Sequence, residues 1–290
     1  MTNPTDGIII HREKVELNQP SKATVERLYN EEVITGTILE RITYLSDGLR
    51  INGYCARPRE KGIYPVLIWN RGGSGDKGAL DDLTAYLILA STAVWGYVVL
   101  ATQYRGNRGS EGTETWGGDD VNDALNLLET SRNIPEADTD LVAIEGASRG
   151  GMTTYLALTR YARFKCAIVH AGITDVNRLC EQKEDFRKYL NKLFKNLCRE
   201  DRRSELDRRS VVHFAEKLPP HVPLLILHGL KDTVVPVEQS ELLVDKLKKL
   251  NIPHKFVILK EGTHVALKDG TYREIDHHRR QWLKKYLKKD

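Results

Sequence analysis

The residue best placed to do chemistry is Ser148, in the sequence Gly146-Ala147-Ser148-Arg149-Gly150. A short apolar run, 142–144, precedes this motif, and a helix-forming run begins at Met152. Strand, tight turn and helix in this order are the setting in which Gly-x-Ser-x-Gly forms a nucleophile elbow. The glycines leave out side chains that would collide with the backbone, so the turn can lift the hydroxyl clear of the strand. The motif predicts Ser148 as a nucleophile; the alternative is a glycine-rich loop with a capping serine.

A serine hydroxyl needs a base to take its proton and a third group to orient that base. Asp232 and His264 each lie in a loop just after an apolar, strand-like run. They follow Ser148 in the order acid, then histidine, that sheets of this kind use. The sequence therefore predicts Asp232 as the orienting acid and His264 as the base. Glu261 ranks lower as a surface carboxylate, and His228 ranks lower as a packed structural histidine.

The oxyanion of a tetrahedral intermediate needs hydrogen-bond donors, each worth about 3 kcal/mol of transition-state stabilisation. The N–H of Arg149 is the first candidate, because it opens the helix after Ser148. The second is expected in the loop after the strand that ends at Trp69, where Gly73 is the favoured donor and Gly72 the alternative. These two glycines could also merely form a turn.

Arg71 and Tyr104 are the candidate substrate-binding residues. The guanidinium groups of Arg71 and Arg149 lie close in sequence to predicted site residues, and they could favour an anionic substrate by bidentate pairing. The alternative is that both side chains point away to structural carboxylates.

The elements that must position these residues alternate strand and helix from Tyr64 onward. This alternation predicts an α/β fold with a mostly parallel central sheet of about eight strands and helices on both faces. We expect one domain over 1–290, with an N-terminal extension (1–35) and a hairpin at the sheet edge (37–54). We also expect a helical insertion (173–218) that either caps the strand ends where ligands bind or is a solvated helix pair.

Composition excludes several classes of function. The net charge of +4 is too small for a nucleic-acid footprint, and no apolar run reaches membrane-spanning length. The first residues lack a signal-peptide pattern, and the four cysteines show no C-x-x-C spacing, with Cys55 and Cys166 expected as buried thiols. We therefore expect a cytoplasmic protein without a nucleic-acid or membrane partner. The predicted chemistry needs no metal or organic cofactor, and the oligomeric state, a homodimer included, is left open.

Several spaced motifs resemble the catalytic domain of the prolyl oligopeptidase family of serine peptidases, within the α/β-hydrolase superfamily. The resemblance runs from about Tyr64 to Tyr286. Its landmarks are Asn70-Arg71-Gly72-Gly73, Gln103-Tyr104-Arg105-Gly106, Trp116 to Asp123, Gly146 to Gly151, Pro223 to Gly229, Asp232 to Pro236 and Glu261-Gly262-Thr263-His264.

This resemblance implies Ser148 as nucleophile, His264 as base and Asp232 as orienting acid, and it implies that Arg105 and the Asp119/Asp120 region brace loops around the site. Too few residues precede the match for the β-propeller that many members carry, so we expect a stand-alone domain. Position 71 is often histidine in the family, and we find no paired-glutamate segment of the dipeptidyl type. The expected activity is hydrolysis of an ester or a short-peptide amide through an acyl-serine intermediate. The alternatives are a carboxylesterase or other acyl hydrolase without peptidase activity, and a non-catalytic binding protein on the same fold.

Overall fold

The strands show two sequence patterns. Strands that are buried on both faces are continuous apolar runs, whereas in strands with one exposed face, buried and more exposed residues alternate. In the computed structural model, which describes residues 4–287, all five residues of Val98–Thr102 and all six of Leu224–Gly229 are buried. The strand Thr37–Ser46 instead alternates buried and half-buried residues. These two patterns are typical of a covered parallel strand and of an antiparallel strand, respectively.

The described residues form nine strands: Ile9–Lys14 (β1), Thr37–Ser46 (β2), Leu49–Pro58 (β3), Tyr64–Asn70 (β4), Val98–Thr102 (β5), Ala137–Ala147 (β6), Cys166–His170 (β7), Leu224–Gly229 (β8) and His254–Leu259 (β9). Their hydrogen-bonded order is β1-β2-β3-β5-β4-β6-β7-β8-β9. Pairing is antiparallel between β1 and β2, between β2 and β3, and between β3 and β5. It is parallel between β4 and β5, between β7 and β8, and between β8 and β9.

The helices are Gln19–Leu28 (α1), Glu32–Thr35 (α2), Asp82–Ala85 (α3), Ser91–Ala93 (α4), Asp120–Leu125 (α5), Leu127–Ser131 (α6), Arg149–Arg160 (α7), Val176–Gln182 (α8), Glu184–Leu193 (α9), Arg199–Asp207 (α10), Glu238–Lys249 (α11), Ala266–Asp269 (α12) and Tyr272–Tyr286 (α13). A π-helical segment, Tyr86–Ala90, lies between α3 and α4. Within the part of the chain that is described, no helix has the length and apolar character that crossing a membrane requires.

The predicted α/β architecture is confirmed, with two differences in detail. The sheet has nine strands rather than about eight, and the β2–β3 hairpin is not at its edge, because β1 pairs with β2. The sequence did not predict β1. Because five of its six residues are exposed, it lacks the alternation of apolar and polar residues that marks a half-buried strand. Residues 1–3 of the predicted N-terminal extension lie outside the described residues. Cys55 and Cys166 are buried free thiols, as predicted.

The chain divides into two compact units. One holds the described residues up to Glu145 together with Tyr286 and Leu287, and the other holds Gly146–Lys285. The first unit contains β1 to β5, most of β6, and α1 to α6, and the second contains β7 to β9 and α7 to α12. Three helices, α8 to α10, lie within the predicted insertion 173–218. A single domain over 1–290 stays a prediction.

Candidate active site

Ser148 lies on a strained turn between β6 and α7. Its backbone has φ 57° and ψ −120°, a conformation that a residue with a side chain rarely adopts. A Cβ atom on Gly146 would lie 2.1 Å from the carbonyl oxygen of Gly150, so only glycine fits there. The Ser148 N–H donates to the His170 carbonyl at 2.8 Å, which ties the turn to the end of β7. The glycine-flanked serine therefore forms the sharp bend that the sequence predicts.

The loops that carry Asp232 and His264 lie directly against each other. A Cβ atom on Gly229, the last residue of β8, would lie 2.3 Å from the carbonyl oxygen of Gly262. That carbonyl accepts the N–H of Lys231 at 2.9 Å. Because β8 and β9 are parallel neighbours, their carboxyl ends reach the same edge, and the two glycines let the loops that follow touch.

The structure brings the side chains of Ser148, His264 and Asp232 into one hydrogen-bonded line. His264 Nδ1 is 2.7 Å from Asp232 Oδ2, and His264 Nε2 is 3.1 Å from Ser148 Oγ. An ionised carboxylate only accepts hydrogen bonds, so Nδ1 carries the proton and Nε2 presents its lone pair to the hydroxyl. The Asp232 side chain is fully buried, whereas His264 keeps 19% of its side chain exposed. The carboxylate therefore holds the imidazole at Nδ1, and part of the ring stays accessible to solvent.

The surroundings of Asp232 keep its carboxylate ionised. Burial alone would raise the pKa of Asp232, but the imidazole N–H groups of His228 and His264 face the carboxylate and lower the pKa well below its usual range. The N–H groups of Val234 and Val235 add hydrogen bonds to Oδ1 at 2.8 and 2.9 Å. A permanent negative charge therefore lies behind His264, where it stabilises an imidazolium.

The three candidate oxyanion donors lie in two different elements, a helix N-terminus and a loop. Arg149 is the first residue of α7, so its backbone N–H lies at the N-terminus of this helix, the positive end of the helix dipole. Gly73 and Gly72 lie in the loop after β4, in the other compact unit. There the Ser74 N–H donates to the Lys77 carbonyl at 3.0 Å and closes a tight turn. The Gly72 carbonyl accepts a hydrogen bond from the Arg71 guanidinium. Their service as oxyanion donors stays a prediction.

Both candidate substrate-binding residues are buried. The Arg71 guanidinium donates to the carbonyls of Gln103, at 2.9 Å, and Gly75, at 2.9 Å. Tyr104 donates its hydroxyl to the Arg71 carbonyl at 3.3 Å, and its ring lies 5.2 Å from the guanidinium carbon. Arg71 thus braces its loop through the carbonyl groups of Gln103 and Gly75. Contact of either side chain with a substrate stays a prediction.

Arg105 is held by two carboxylates, and the loop-bracing role at the site that the resemblance implies for Arg105 and the Asp119/Asp120 region stays a prediction. Its guanidinium bonds to Asp123 at 2.8 Å and to Asp47 at 2.7 Å. Asp120 instead accepts the N–H of Gly117 at 2.8 Å. The Arg105–Asp123 pair lies in a fully buried setting, because Asp123 exposes none of its side chain and Arg105 exposes 8%.

Sequence reasoning missed Asp269, which holds the His264 loop. Its Oδ2 accepts both the N–H and the hydroxyl of Thr263, at 2.6 and 2.7 Å, and its Oδ1 accepts the N–H of Thr271 at 2.9 Å. Burial alone would raise the pKa of Asp269, but the hydrogen bonds from Thr271 and Thr263 lower it below its usual value. The carboxylate fixes the residue before His264, and an aspartate that ends a four-residue helix gives no sequence signal for that role.

Comparison with known proteins shows which family and which relatives the sequence is similar to. The sequence profile described as "Prolyl oligopeptidase family" matches residues 84–290. The uncharacterized peptidase YtmA of Bacillus subtilis is 30% identical over 247 residues, which cover 85% of this chain and 93% of YtmA. The probable carboxylic ester hydrolase LipM of Mycobacterium tuberculosis is 28% identical over 209 residues, which cover 66% of this chain and 46% of LipM.

The fold is similar to solved peptidase structures. A puromycin-hydrolyzing peptidase of Mycobacterium tuberculosis superposes with a TM-score of 0.70 at 25% identity. An acylaminoacyl peptidase of Pyrococcus horikoshii superposes with a TM-score of 0.71 at 24% identity. The chain covers 40% and 44% of these two proteins, so it spans less than half of their length.

Proposed function

This chain belongs to the prolyl oligopeptidase family of serine hydrolases, and from that premise we propose that it hydrolyses amide bonds of short peptides or aminoacyl compounds through an acyl-Ser148 intermediate. The observation that carries the proposal is the line of contacts from Asp232 through His264 to Ser148, at 2.7 and 3.1 Å. A buried carboxylate bonded to an imidazole, which in turn contacts a serine hydroxyl, is the arrangement that acyl transfer through a serine requires.

In the proposed mechanism, Ser148 Oγ attacks the scissile carbonyl carbon while His264 Nε2 takes the hydroxyl proton. Asp232 stabilises the imidazolium that forms and does not itself take the proton. The Arg149 N–H, at the start of α7, is the proposed donor to the oxyanion. His264 then gives its proton to the leaving nitrogen, and the acyl-enzyme remains. Water, deprotonated by His264, attacks the acyl carbon and releases the acid and free Ser148.

A second candidate is carboxylester hydrolysis without peptidase activity. The specific observation behind it is the 28% identity to LipM, whose name describes a probable carboxylic ester hydrolase. The same three residues would act in the same order, because an alkoxide leaving group changes only which atom His264 protonates. The two candidates therefore differ in substrate, and only turnover can separate them.

The test measures aminoacyl-p-nitroanilides beside p-nitrophenyl butyrate, with the wild-type protein and with Ser148→Ala as the matched control. The proposal expects release of p-nitroaniline by the wild type and none above background by Ser148→Ala. Turnover of the ester alone, abolished by Ser148→Ala, would select the esterase. Anilide turnover that persists in Ser148→Ala would refute the assignment of the nucleophile.

A further inference from the structure

A second buried imidazole, His228, lies behind the predicted catalytic line. His228 is the penultimate residue of β8 and has 1% of its surface exposed. Its Nδ1 is 2.7 Å from Ser240 Oγ on α11, and its Nε2 is 2.8 Å from the Val235 carbonyl oxygen. Both ring nitrogens therefore have a defined partner, and neither reaches solvent.

These two contacts fix the tautomer of His228. A carbonyl oxygen can only accept, so Nε2 must carry the proton that it donates to Val235. Nδ1 then has a lone pair, which accepts the Ser240 hydroxyl. Exchanging the proton between the two nitrogens would leave the Val235 carbonyl and the Nε2 lone pair facing each other, which is costly in a buried place.

The same Nε2–H also faces Asp232. Nε2 lies 3.6 Å from Asp232 Oδ2, the oxygen that accepts the hydrogen bond from His264 Nδ1. Val235, whose carbonyl His228 holds, gives its own N–H to Asp232 Oδ1 at 2.9 Å. His228 thus touches the loop at Val235 and faces the carboxylate at Oδ2, so a shift of this loop would break its hydrogen bond with His228.

We propose that His228 is a positioning residue that holds the 232–235 loop so that Asp232 Oδ2 points at His264 Nδ1. The inference rests on the proposed function, because it assigns His228 a role in the line from Asp232 to Ser148. His228 takes no proton from the substrate and does not contact it. Its effect reaches the reaction only through the orientation of Asp232, and it acts on the chemical step rather than on substrate binding.

Two amide substitutions separate the two ring nitrogens. In His228→Gln, the longer side chain places an amide N–H near the position of Nε2, so a donor to Val235 remains. In His228→Asn, the shorter side chain reaches only the position of Nδ1, so Ser240 keeps a partner and Val235 loses its donor. His221→Asn is the matched control, because His221 Nε2 also lies 2.8 Å from a backbone carbonyl, that of Ala162, at an exposed position.

The experiment measures kcat and KM for whichever substrate class the panel above identifies, at a temperature where circular dichroism shows every variant folded. We expect His228→Asn to lower kcat about tenfold with KM unchanged within twofold, the loss that one positioning hydrogen bond gives. His228→Gln should recover most of kcat, and His221→Asn should match the wild type. Equal losses in His228→Asn and His228→Gln, or a kcat for His228→Asn within twofold of the wild type, would overturn the proposal.

The wild-type protein gives a second readout that does not depend on any variant folding. The ring nitrogen NMR shifts of His228 should show the Nε2–H tautomer, and the Nδ1–H tautomer would overturn the proposal. Failure of the proposed function itself looks different, because then Ser148→Ala retains turnover. If Ser148→Ala is inactive while His228→Asn is fully active, only the positioning role is lost.

Discussion

Replacing Gly229 by alanine should separate the loops that carry Asp232 and His264. The new Cβ would lie 2.3 Å from the Gly262 carbonyl oxygen and 2.5 Å from its carbon, and real Cβ atoms essentially never come closer than 3.0 Å. The two backbones must therefore move apart by at least about 0.7 Å. The atoms in the way are backbone atoms, so no side-chain rotation can relieve the overlap.

The size of this shift sets the expected loss of activity. A displacement of about 0.7 Å is comparable with the difference between the 2.7 Å contact of His264 with Asp232 and a contact too long for a hydrogen bond. Misplacement of catalytic groups by about 1 Å costs on the order of a hundredfold in rate. We therefore expect kcat to fall between about tenfold and a hundredfold, and overpacking should lower the free energy of unfolding by about 1–3 kcal/mol.

The assay pairs kcat and KM with urea unfolding of the same preparations. Gly96→Ala is the control, because Gly96 has φ 93° and its Cβ would meet only the Tyr64 ring, at 3.9 Å. That variant should lose about 1–2 kcal/mol of stability from backbone strain and keep its kcat. A Gly229→Ala protein that is folded and keeps kcat within twofold of the wild type would refute the claim that contact between these loops aligns the two side chains.

Three further outcomes follow from the ion pairs and the loop contacts. Asp123→Ala should lower the free energy of unfolding by about 3 kcal/mol in urea titrations, because it strips a buried partner from Arg105. Asp82 pairs with the Arg41 guanidinium at 2.6 Å; burial alone would raise the pKa of Asp82, but the hydrogen bonds from Arg41 and Tyr54 lower it in the folded state. Its ionised form therefore stabilises the fold above the unfolded pKa, about 4, and this contribution is lost as pH falls through the folded value. The stability gap between wild type and Asp82→Asn, about 1 kcal/mol at pH 7, should therefore shrink at pH 3. Asp269→Ala should lower kcat several-fold by loosening the loop before His264, and an unchanged kcat would show that the loop holds its shape alone.

The parts of the site that the sequence predicted are those encoded locally. Ser148 is marked by glycines whose absence of side chains the turn requires, and Asp232 and His264 each follow a run that is apolar because parallel strands are buried on both faces. The order of strands along the chain then decides that these loops reach one edge. Local pattern and topology together were enough to name the three side chains that the structure brings together.

What the sequence did not predict depends on contacts between distant residues. β1 is exposed along most of its length, so it carries no periodic signal, although it pairs with β2. Arg105 pairs with Asp123 and Asp47, and the sequence does not indicate these partners because packing between distant segments brings them together. Arg71 was a candidate for an anionic ligand because its guanidinium can pair bidentately, but the fold buries it and the guanidinium donates to the carbonyls of Gly75 and Gln103.

The central claim is that Ser148 is a nucleophile whose reactivity comes from His264. The direct measurement is the rate and position of covalent labelling by a fluorophosphonate, followed by mass spectrometry of the intact protein and of its peptides. The account predicts one adduct per chain, on Ser148, and labelling slowed about a thousandfold in His264→Ala. An adduct on another residue, or His264→Ala labelled at the wild-type rate, would contradict it.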